Sequence, residues 1–388
     1  MLSGCISLGR AQYANGIYAE FNTSMGSYTC RLEYTLAPKA CANFIGLATG
    51  QRAWLDPVAG RVRTNRFYDG LLISRVIPGL IIQGGSPNGL PSGDPGYVLE
   101  DEFSPGLRHD AFGALSMANT GRQSGGSQFL ITVIPAAPYD DRYVMFGRVI
   151  GGSNVVAAIN QVATDGNEQP LSNVIVHSVN IRRIGARAKA FDINAQGHPI
   201  VMDLNLKIAT ANTNVSLSFS NRLNVDNRLF ASSNLAAWTQ SALGVETVAP
   251  ATNTVLRSTV SPAQFFRMAQ VQYPTTLYPP RNVLGRTVTL VFTNGVSGTM
   301  TLAFSPGGGG VYDYNGSPGN VYGYQWGQEP YNGRLWPLEL DFPLNLDLTL
   351  NLTFDTALAG GFAGTVYPYY HPITLGSYPV GGSFSLSP

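Results

Sequence analysis

Alternating apolar and polar residues are the dominant pattern of this chain, and the pattern is most regular near the C terminus. From Glu339 to Phe354 every even position is Leu or Phe, while the odd positions are Glu, Asp, Pro, Asn or Thr. Side chains two residues apart on a strand point to the same face, so this period predicts strand structure with one buried face. Pro343 has no amide hydrogen and predicts an edge or a break within the run.

Similar alternation covers most of the second half of the chain. The runs VMDLNLKIAT (201–210), VSLSFSN (215–221) and FFRMAQVQY (265–273) predict a small β-rich module, a sandwich or a sheet. The stretch RTVTLVFTNGVSGTMTLAFS (286–305) contains two alternating runs around a Gly-containing turn, which predicts a β-hairpin. A second β-rich module, sandwich-like or barrel-like, therefore follows the first.

The first part of the chain mixes strands with two helices. One helix is predicted over Pro38–Ala48 and is ended by Gly50, because Pro is favoured in the first turn and Gly just after the last. A second short helix is predicted over Ser153–Gln161, with Ser153 or Asn154 as its N-cap. Short apolar runs separated by Gly, Pro and Asp lie between the two helices.

The patterns predict a mainly β chain of several domains. The 388 residues exceed one ordinary domain. We divide them into residues 1–14, a possible remnant of a signal, and three domains over residues 15–186, 187–275 and 281–388. The net charge is +1 and only 12% of residues are charged, so bulk electrostatics predicts neither a nucleic-acid partner nor a membrane-surface partner. No run of about 18 apolar residues is present, so no spanning membrane segment is predicted.

The N-terminal residues raise the question of export. Leu2-Ser3-Gly4-Cys5 is similar to a bacterial lipobox, where a signal peptide is cut and the cysteine is lipidated. No basic stretch and no apolar segment precedes it, although a secretory signal needs both. Either the match is chance or the start has been assigned too late. On the second reading Cys5 carries a lipid anchor, and the protein is exported in a bacterium as a periplasmic, outer-surface or secreted protein.

The other cysteines and the histidines carry little chemical signal. Cys30 and Cys41 lie in a strand-like and a helix-like run, without a CxxC pair. They form a disulfide if the protein is exported, or they are two buried thiols. The four histidines are scattered without metal-ligand spacing. We therefore predict no metal site and no cofactor.

One apolar stretch carries polar residues that need an explanation. Residues 71–89 read LLISRVIPGLIIQGGSPNG, and Arg75 and Gln83 are placed within this almost wholly apolar segment. Either these two side chains point to solvent from a strand, or they line a site.

Five short motifs decide between these alternatives. The segments FYDG (67–70), RVIPGLIIQGG (75–85), FGALSMAN (112–119), GSQFLIT (126–132) and FGRVIGG (146–152) resemble the cyclophilin family of peptidyl-prolyl isomerases. The resemblance covers nearly all of residues 15–186. It implies an eight-stranded antiparallel barrel capped by two helices, and an enzyme that isomerises X-Pro bonds in proline-containing polypeptides.

The resemblance also implies which residues form the site. Arg75 takes the place of the catalytic arginine, and Gln83 orients the substrate carbonyl. The remaining positions bind the substrate: Ile81, Phe129 and Leu130 around the proline ring, the backbone of Ala118 and Asn119, Gln128 in the same groove, and Tyr139 and Tyr143 at its wall.

Rotation about a peptide bond needs no nucleophile or metal, so an arginine suits the reaction. The barrier of ~18–20 kcal/mol arises because the nitrogen shares its lone pair with the carbonyl. A fixed donor near that nitrogen favours the twisted amide, in which the lone pair has returned to nitrogen. The predicted mechanism is electrostatic stabilisation of this twisted state.

The sequence departs from the family pattern in the proline pocket. Leu130 replaces a phenylalanine, Ile81 a methionine, Pro138 an aromatic residue and Tyr143 a histidine. Lost aromatic walls reduce pocket area and shape complementarity, although Tyr139 can replace one of them. The alternative to an isomerase is therefore a peptide-binding protein with weak or no turnover, whose β modules serve attachment or scaffolding.

Overall fold

The computed structural model describes most of the chain in two compact units. The described residues are 13–90, 93–121, 123–211, 214–220, 225–246, 252–258, 265–274, 287–295, 297–305, 309–323, 326–329, 332–340, 346–356, 359–368 and 378–387. The first unit comprises Met1–Trp54, Arg63–Pro95 and Asp101–His198, and the second comprises Leu55–Val62, Gly96–Glu100 and Pro199–Pro388. The three-domain division stays a prediction. Cys5 and the lipobox-like residues lie outside the described part of the chain.

The described residues of the first half of the chain contain ten strands and three α-helices. Its elements are β1 (Gly16–Thr23), β2 (Gly26–Leu32), α1 (Pro38–Thr49), β3 (Trp54–Asp56), β4 (Arg61–Arg63), β5 (Ile73–Ile77), β6 (Ile81–Gly84), β7 (Ala114–Met117), β8 (Phe129–Thr132), a 3-10 turn (Ala137–Tyr139), β9 (Met145–Gly151), α2 (Ser153–Asn160), β10 (Val176–Ile184) and α3 (Ala186–Lys189).

Eight of these strands form the antiparallel sheet that the resemblance implies. Their order is β10-β1-β2-β9-β7-β8-β6-β5. The two edges of this sheet also meet, because Leu72 and Ile175 form an antiparallel bridge and the amide of Ile73 donates to the carbonyl of Val174 at 2.9 Å. The sheet therefore closes as a barrel, and the prediction of an eight-stranded barrel with helices is confirmed.

The two predicted helices are present, with one correction. The helix α1 begins at Pro38, and Gly50 follows it in the left-handed conformation with φ of 73°. That conformation is favourable for glycine, as the sequence predicts. The N-cap of α2 is Gly152 and not Ser153 or Asn154, and no side chain caps it. The prediction of its cap was wrong because Gly152, with φ of 72°, supplies the turn that leads into the helix.

Aromatic rings fill the interior of the barrel. Phe21, Phe44 and Phe129 are fully buried. The ring centroid of Phe129 lies 5.3 Å from that of Phe21 and 6.3 Å from that of Phe44. Cys30 and Cys41 are also buried here, and both thiols are free. Of the two alternatives for these cysteines, the structure therefore has two buried thiols.

The second half of the chain is described as strands only. These are β11 (Ile200–Leu204), β12 (Lys207–Ala211), β13 (Asn214–Ser220), β14 (Val225–Ser232), β15 (Thr239–Glu246), β16 (Thr252–Ser258), β17 (Phe265–Gln272), β18 (Thr287–Asn294), β19 (Gly298–Ser305), β20 (Gly309–Tyr314), β21 (Ser317–Gly323), β22 (Trp326–Glu329), β23 (Asn332–Leu340), β24 (Leu346–Thr356), β25 (Ala359–Pro368) and β26 (Tyr378–Ser387).

These strands form three antiparallel sheets. The first has the order β11-β17-β14-β15 and the second β12-β13-β16. The third runs β21-β20-β19-β18-β26-β25-β24-β23-β22, and an additional pairing of β21 with β23 closes it on itself. Leu348, Leu350 and Leu352 of β24 are buried, which confirms the buried face predicted from the alternating run. Pro343 lies between β23 and β24, outside the described residues. No helix among the described residues is long and apolar enough to cross a membrane.

Candidate active site

Strand register brings the predicted polar residues into one row. Arg75 on β5 pairs with Gln83 on β6, and Gln83 pairs with Leu130 on β8. Leu130 in turn pairs with Ser116 on β7. Residues directly opposite each other on antiparallel strands share a face. Arg75, Gln83 and Leu130 therefore lie on the same side of the sheet.

A chain of hydrogen bonds joins the polar side chains. Nη1 of Arg75 donates to Oε1 of Gln83 at 3.5 Å, and Nε2 of Gln83 donates to Oε1 of Gln128 at 2.9 Å. Nε2 of Gln128 then donates to the carbonyl of Gly93 at 2.7 Å. Both glutamines are buried, so these partners offset the cost of removing two amides from water. The side chain of Arg75 is left partly exposed, at 35%.

An apolar cluster lies beside this row. Its buried members are Ile81, Ala118 and Leu130, and four partly buried side chains pack against them: Ile77, Leu80, Tyr139 and Tyr143. The rings of Tyr139 and Tyr143 have centroids 4.7 Å apart and an interplanar angle of 50°. Burial, with a smaller effect of Tyr143, raises the pKa of the Tyr139 phenol. Its hydroxyl therefore keeps its proton at neutral pH and can donate.

Phe129 was predicted to contact the proline ring together with Ile81 and Leu130, but it is not a member of this cluster. Its ring lies in the barrel interior, with centroids 5.3 Å from Phe21 and 6.0 Å from Tyr68. The physical reason is the alternation of side chains along β8, which sends neighbouring residues to opposite faces. Because Leu130 faces the cluster, Phe129 must face inward. We therefore correct its place from the proline pocket to the core.

Ala118 and Asn119 stand at the rim of the same surface. The amide of Ala118 donates to the carbonyl of Gln128 at 2.9 Å, which fixes its backbone against the end of β8. Nδ2 of Asn119 donates to the carbonyl of Arg142 at 2.7 Å. This second bond ties the rim to the segment that carries Tyr143.

A buried histidine anchors the loop that carries the two tyrosines. The backbone amide of His109 donates to Oδ1 of Asp140 at 2.8 Å, and its ring Nδ1 lies 2.8 Å from the same oxygen. Its Nε2 lies 2.7 Å from Oγ of Ser116. Burial acts to raise the pKa of the Asp140 carboxyl, but the hydrogen bonds and charge of His109 and the charge of Arg108 outweigh it and lower that pKa. Because Ser116 is fully buried, this Ser–His–Asp arrangement is an anchor and not an exposed nucleophile.

Two further side chains hold the strands of the site, and sequence reasoning missed both. Asn160 at the end of α2 accepts from the amide of Gly79 at 2.7 Å and donates to the carbonyls of Ile77 and Ile81 at 2.9 and 2.8 Å. Nε of Arg75 donates to Oε2 of Glu168 at 2.6 Å. Neither Asn160 nor Glu168 belongs to a motif of the resemblance. Asn160 lies 81 residues from Gly79 in sequence, and Glu168 lies 93 residues from Arg75. The sequence holds no local signal for such contacts.

The groups brought together here are polar and apolar side chains of several kinds. A cation, two buried amides and an apolar cluster lie on or next to adjoining strands, and the loop between β8 and β9 adds two phenols. Among the residues that the structure describes, no group of three or more His, Cys, Asp or Glu side chains lies close enough to hold a metal ion.

Comparison with known proteins gives the family. Residues 18–181 match the family model described as "Cyclophilin type peptidyl-prolyl cis-trans isomerase/CLD". Peptidyl-prolyl cis-trans isomerase B of Streptomyces anulatus is 43% identical over 169 residues, which are 43% of this chain and 97% of that protein. Peptidyl-prolyl cis-trans isomerase A of Mycobacterium tuberculosis is 42% identical over 165 residues, 42% of this chain and 91% of that protein.

A solved structure also matches the same share of the chain. The cyclophilin type peptidyl-prolyl cis-trans isomerase of Cryptosporidium parvum is 28% identical, with a TM-score of 0.39, over 44% of this chain and 99% of that one. The family match and the bacterial relatives carry the assignment, and the residues after 181 lie outside the family model. This chain belongs to the cyclophilin-type peptidyl-prolyl cis-trans isomerases.

Proposed function

We propose that the chain isomerises X-Pro bonds by holding the proline against the apolar cluster and donating from Arg75 to the twisted amide. The observation that carries this proposal is the partly exposed side chain of Arg75 beside two buried amides and that cluster.

The chemistry follows from the electronic structure of the amide. In a planar X-Pro bond the nitrogen lone pair is shared with the carbonyl, and at the twisted midpoint the lone pair is localised on nitrogen. A donor that reaches this nitrogen bonds the twisted state more strongly than either planar state, and only such differential binding speeds the reaction. An arginine keeps its charge and presents a rigid fork of donors, so little reorganisation accompanies rotation.

The other residues restrain the substrate on either side of the bond. Gln83 would orient the substrate carbonyl, because Arg75 and Gln128 already hold its amide in one direction. The rim backbone at Ala118 and Asn119 would bind the residue before proline. With one end of the amide fixed, rotation is confined to the other end, which is the proximity effect that a single site can supply.

The runner-up function is peptide binding with weak turnover, and a specific observation favours it. Leu130 and Ile81, two buried members of the cluster, are aliphatic, whereas the family pattern has an aromatic residue at the position of Leu130. An aromatic contact is worth about 0.5–1.5 kcal/mol beyond its buried area. On this proposal the second unit serves attachment or scaffolding, and the first unit captures extended proline-containing segments.

We also propose that the protein acts on exported proteins outside the cytoplasm. The support is the low share of charged residues, 12%, and the lipobox-like sequence that ends at Cys5. Fractionation of the source cell with metabolic palmitate labelling tests both parts. Full-length protein found only in the cytosolic fraction, without label, would contradict export and the anchor together.

A substitution at Arg75 tests the mechanism. Arg75→Ala in the full chain should lower kcat/KM on a prolyl tetrapeptide by ~10²–10³, the range for one preorganised donor. Arg182→Ala is the matched control, because Arg182 is equally exposed at 36% and also pairs with a carboxylate, Glu20 at 3.4 Å, away from the site. Equal turnover in the two variants removes Arg75 from the mechanism. A wild-type protein that binds the peptide without exceeding the spontaneous rate supports the binding function instead.

A further inference from the structure

Glu168 contacts the strand that carries Arg75 through two different groups. Its carboxylate oxygen Oε2 accepts from Nε of Arg75 at 2.6 Å. Its backbone carbonyl accepts from the amide of the next residue on β5, Val76, at 2.8 Å. One residue of a loop therefore fixes both the backbone of β5 and the guanidinium beside the apolar cluster.

The loop holds Glu168 in a backbone conformation that glutamate rarely adopts. Its φ is 63°, in the left-handed region. Asp165 stabilises the turn: its Oδ1 accepts from the amides of Asn167 and Gln169, both at 2.9 Å. The carbonyl of Asp165 also accepts from the amide of Glu168 at 3.1 Å. Strained backbone of this kind persists only where the surroundings determine it, and it clusters at functional sites.

The contact leaves the reactive end of the guanidinium available. Glu168 occupies Nε, and Gln83 Oε1 lies 3.5 Å from Nη1. In the described part of the chain Nη2 has no protein acceptor. A partly exposed arginine without such a partner samples several rotamers, and each productive encounter must then order the side chain again. An ion pair at Nε restricts those rotamers and leaves Nη2 available to donate to a substrate.

We propose that Glu168 is a positioning residue for isomerisation, which orients the guanidinium of Arg75 toward the substrate amide. This inference rests on the proposed role of Arg75. Because Glu168 acts on a donor that is used in the twisted state, its loss should lower kcat and leave KM nearly unchanged. A residue that only stabilised the loop would not produce this split.

The test uses two substitutions in the full chain and a double-mutant cycle. Glu168→Gly removes the carboxylate and keeps a residue that accepts a φ of 63°. Glu168→Gln keeps the shape and an acceptor but loses the charge, so it should recover part of the lost turnover. Glu20→Gln is the matched control, since the Glu20 carboxylate also pairs with an arginine at partial exposure, on a strand away from the site.

We expect Glu168→Gly to lower kcat about tenfold, with KM within about twofold, because a misplaced catalytic group commonly costs between one and two orders of magnitude. In the Arg75→Ala background the same substitution should change kcat less than about twofold, since the group that it positions is gone. The Arg75→Ala variant is assayed at higher enzyme concentration, so that its turnover remains above the spontaneous rate.

Three results overturn the inference, and they are distinguishable from failure of the proposed mechanism. Glu168→Gly as active as Glu20→Gln shows that the carboxylate does not position Arg75. An equal loss of kcat in both Arg75 backgrounds shows a structural role of the loop. A loss that falls on KM alone shows a substrate contact. If Arg75→Ala itself keeps full activity, the proposed mechanism fails first.

Discussion

Replacing Asn160 with alanine should loosen the turn that places Arg75 and Gln83. Asn160 is almost fully buried, and its one amide makes three hydrogen bonds to the turn between β5 and β6. Alanine removes all three. The turn joins the two strands that carry Arg75 and Gln83, so its movement displaces both side chains.

The magnitude depends on which backbone groups are left without a partner. Gly79 is exposed, so its amide can bond to water after the substitution. The carbonyl of Ile77 keeps a bond from the amide of Leu80 at 3.0 Å. Only the carbonyl of buried Ile81 therefore loses a partner that water cannot readily replace. We expect the free energy of local opening to fall by about 2–3 kcal/mol, which is less than the cost of leaving three buried polar groups without a partner.

Hydrogen exchange measures this loss better than global unfolding, because a chain with two units need not unfold in one step. Amides in residues 73–84 should exchange roughly 30–150-fold faster, since each 1.4 kcal/mol is about tenfold. kcat/KM should fall in parallel. Asn22→Ala is the control: Asn22 is half-buried on β1 and bonds to Ser178 and Ser27, so its loss should remain below about 1 kcal/mol. Exchange that rises less than threefold in residues 73–84 would show that Asn160 does not hold the turn.

Two further predictions concern buried titratable groups. Burial, with the charge of Arg52, lowers the pKa of His198 from 6.5 to about 4, so the unfolded chain binds the proton more readily. The contribution of His198 to the free energy of unfolding should be fully present above about pH 6.5 and should be lost as the pH drops toward 4, by at most about 3 kcal/mol. Urea unfolding of the wild type and of His198→Gln across that range tests this. The same dependence of the free energy of unfolding on pH in both proteins would contradict it. Cys30 and Cys41 are buried with raised pKa values, so a thiol reagent should modify them slowly in the folded protein and completely in urea; a Cys30–Cys41 disulfide found by mass spectrometry would refute free thiols.

The sequence predicted the helices and strands whose apolar residues recur at a regular spacing, and the residues that belong to a contiguous motif. The helix over Pro38–Thr49 and the strands around Arg75 and Gln83 are of this kind, because period and spacing are visible within a few residues. The anchors were not predictable: the contact between Glu168 and Arg75 joins residues 93 apart. Nothing near Glu168 distinguishes it from a solvent-exposed loop residue. Side-chain contacts across the barrel depend on how the strands close, which local pattern does not encode.

Phe129 was a different kind of error, since the information needed to avoid it was present. Residues 129 and 130 are neighbours on a strand, and neighbours face opposite sides of a sheet. Placing both in the proline pocket contradicted that alternation. The structure resolves it by burying Phe129 in the interior while Leu130 meets Ile81.

The same alternation changes how the substituted pocket should be interpreted. The sequence shows aromatic residues missing at Leu130 and Pro138, but the rings of Tyr139 and Tyr143 pack against the cluster that includes Leu130. The aromatic wall therefore comes from the loop between β8 and β9 and not from β8 itself. On a strand, hydrogen bonds to the neighbouring strands fix the position of each side chain. The position of this loop depends instead on the bonds from His109 to Asp140 and from Asn119 to the backbone of residue 142. The position of the two tyrosines consequently depends on His109 and on the side chain of Asn119. Because His109 is buried and bonds to Asp140 and Ser116, a substitution at His109 should affect substrate binding without removing a substrate contact.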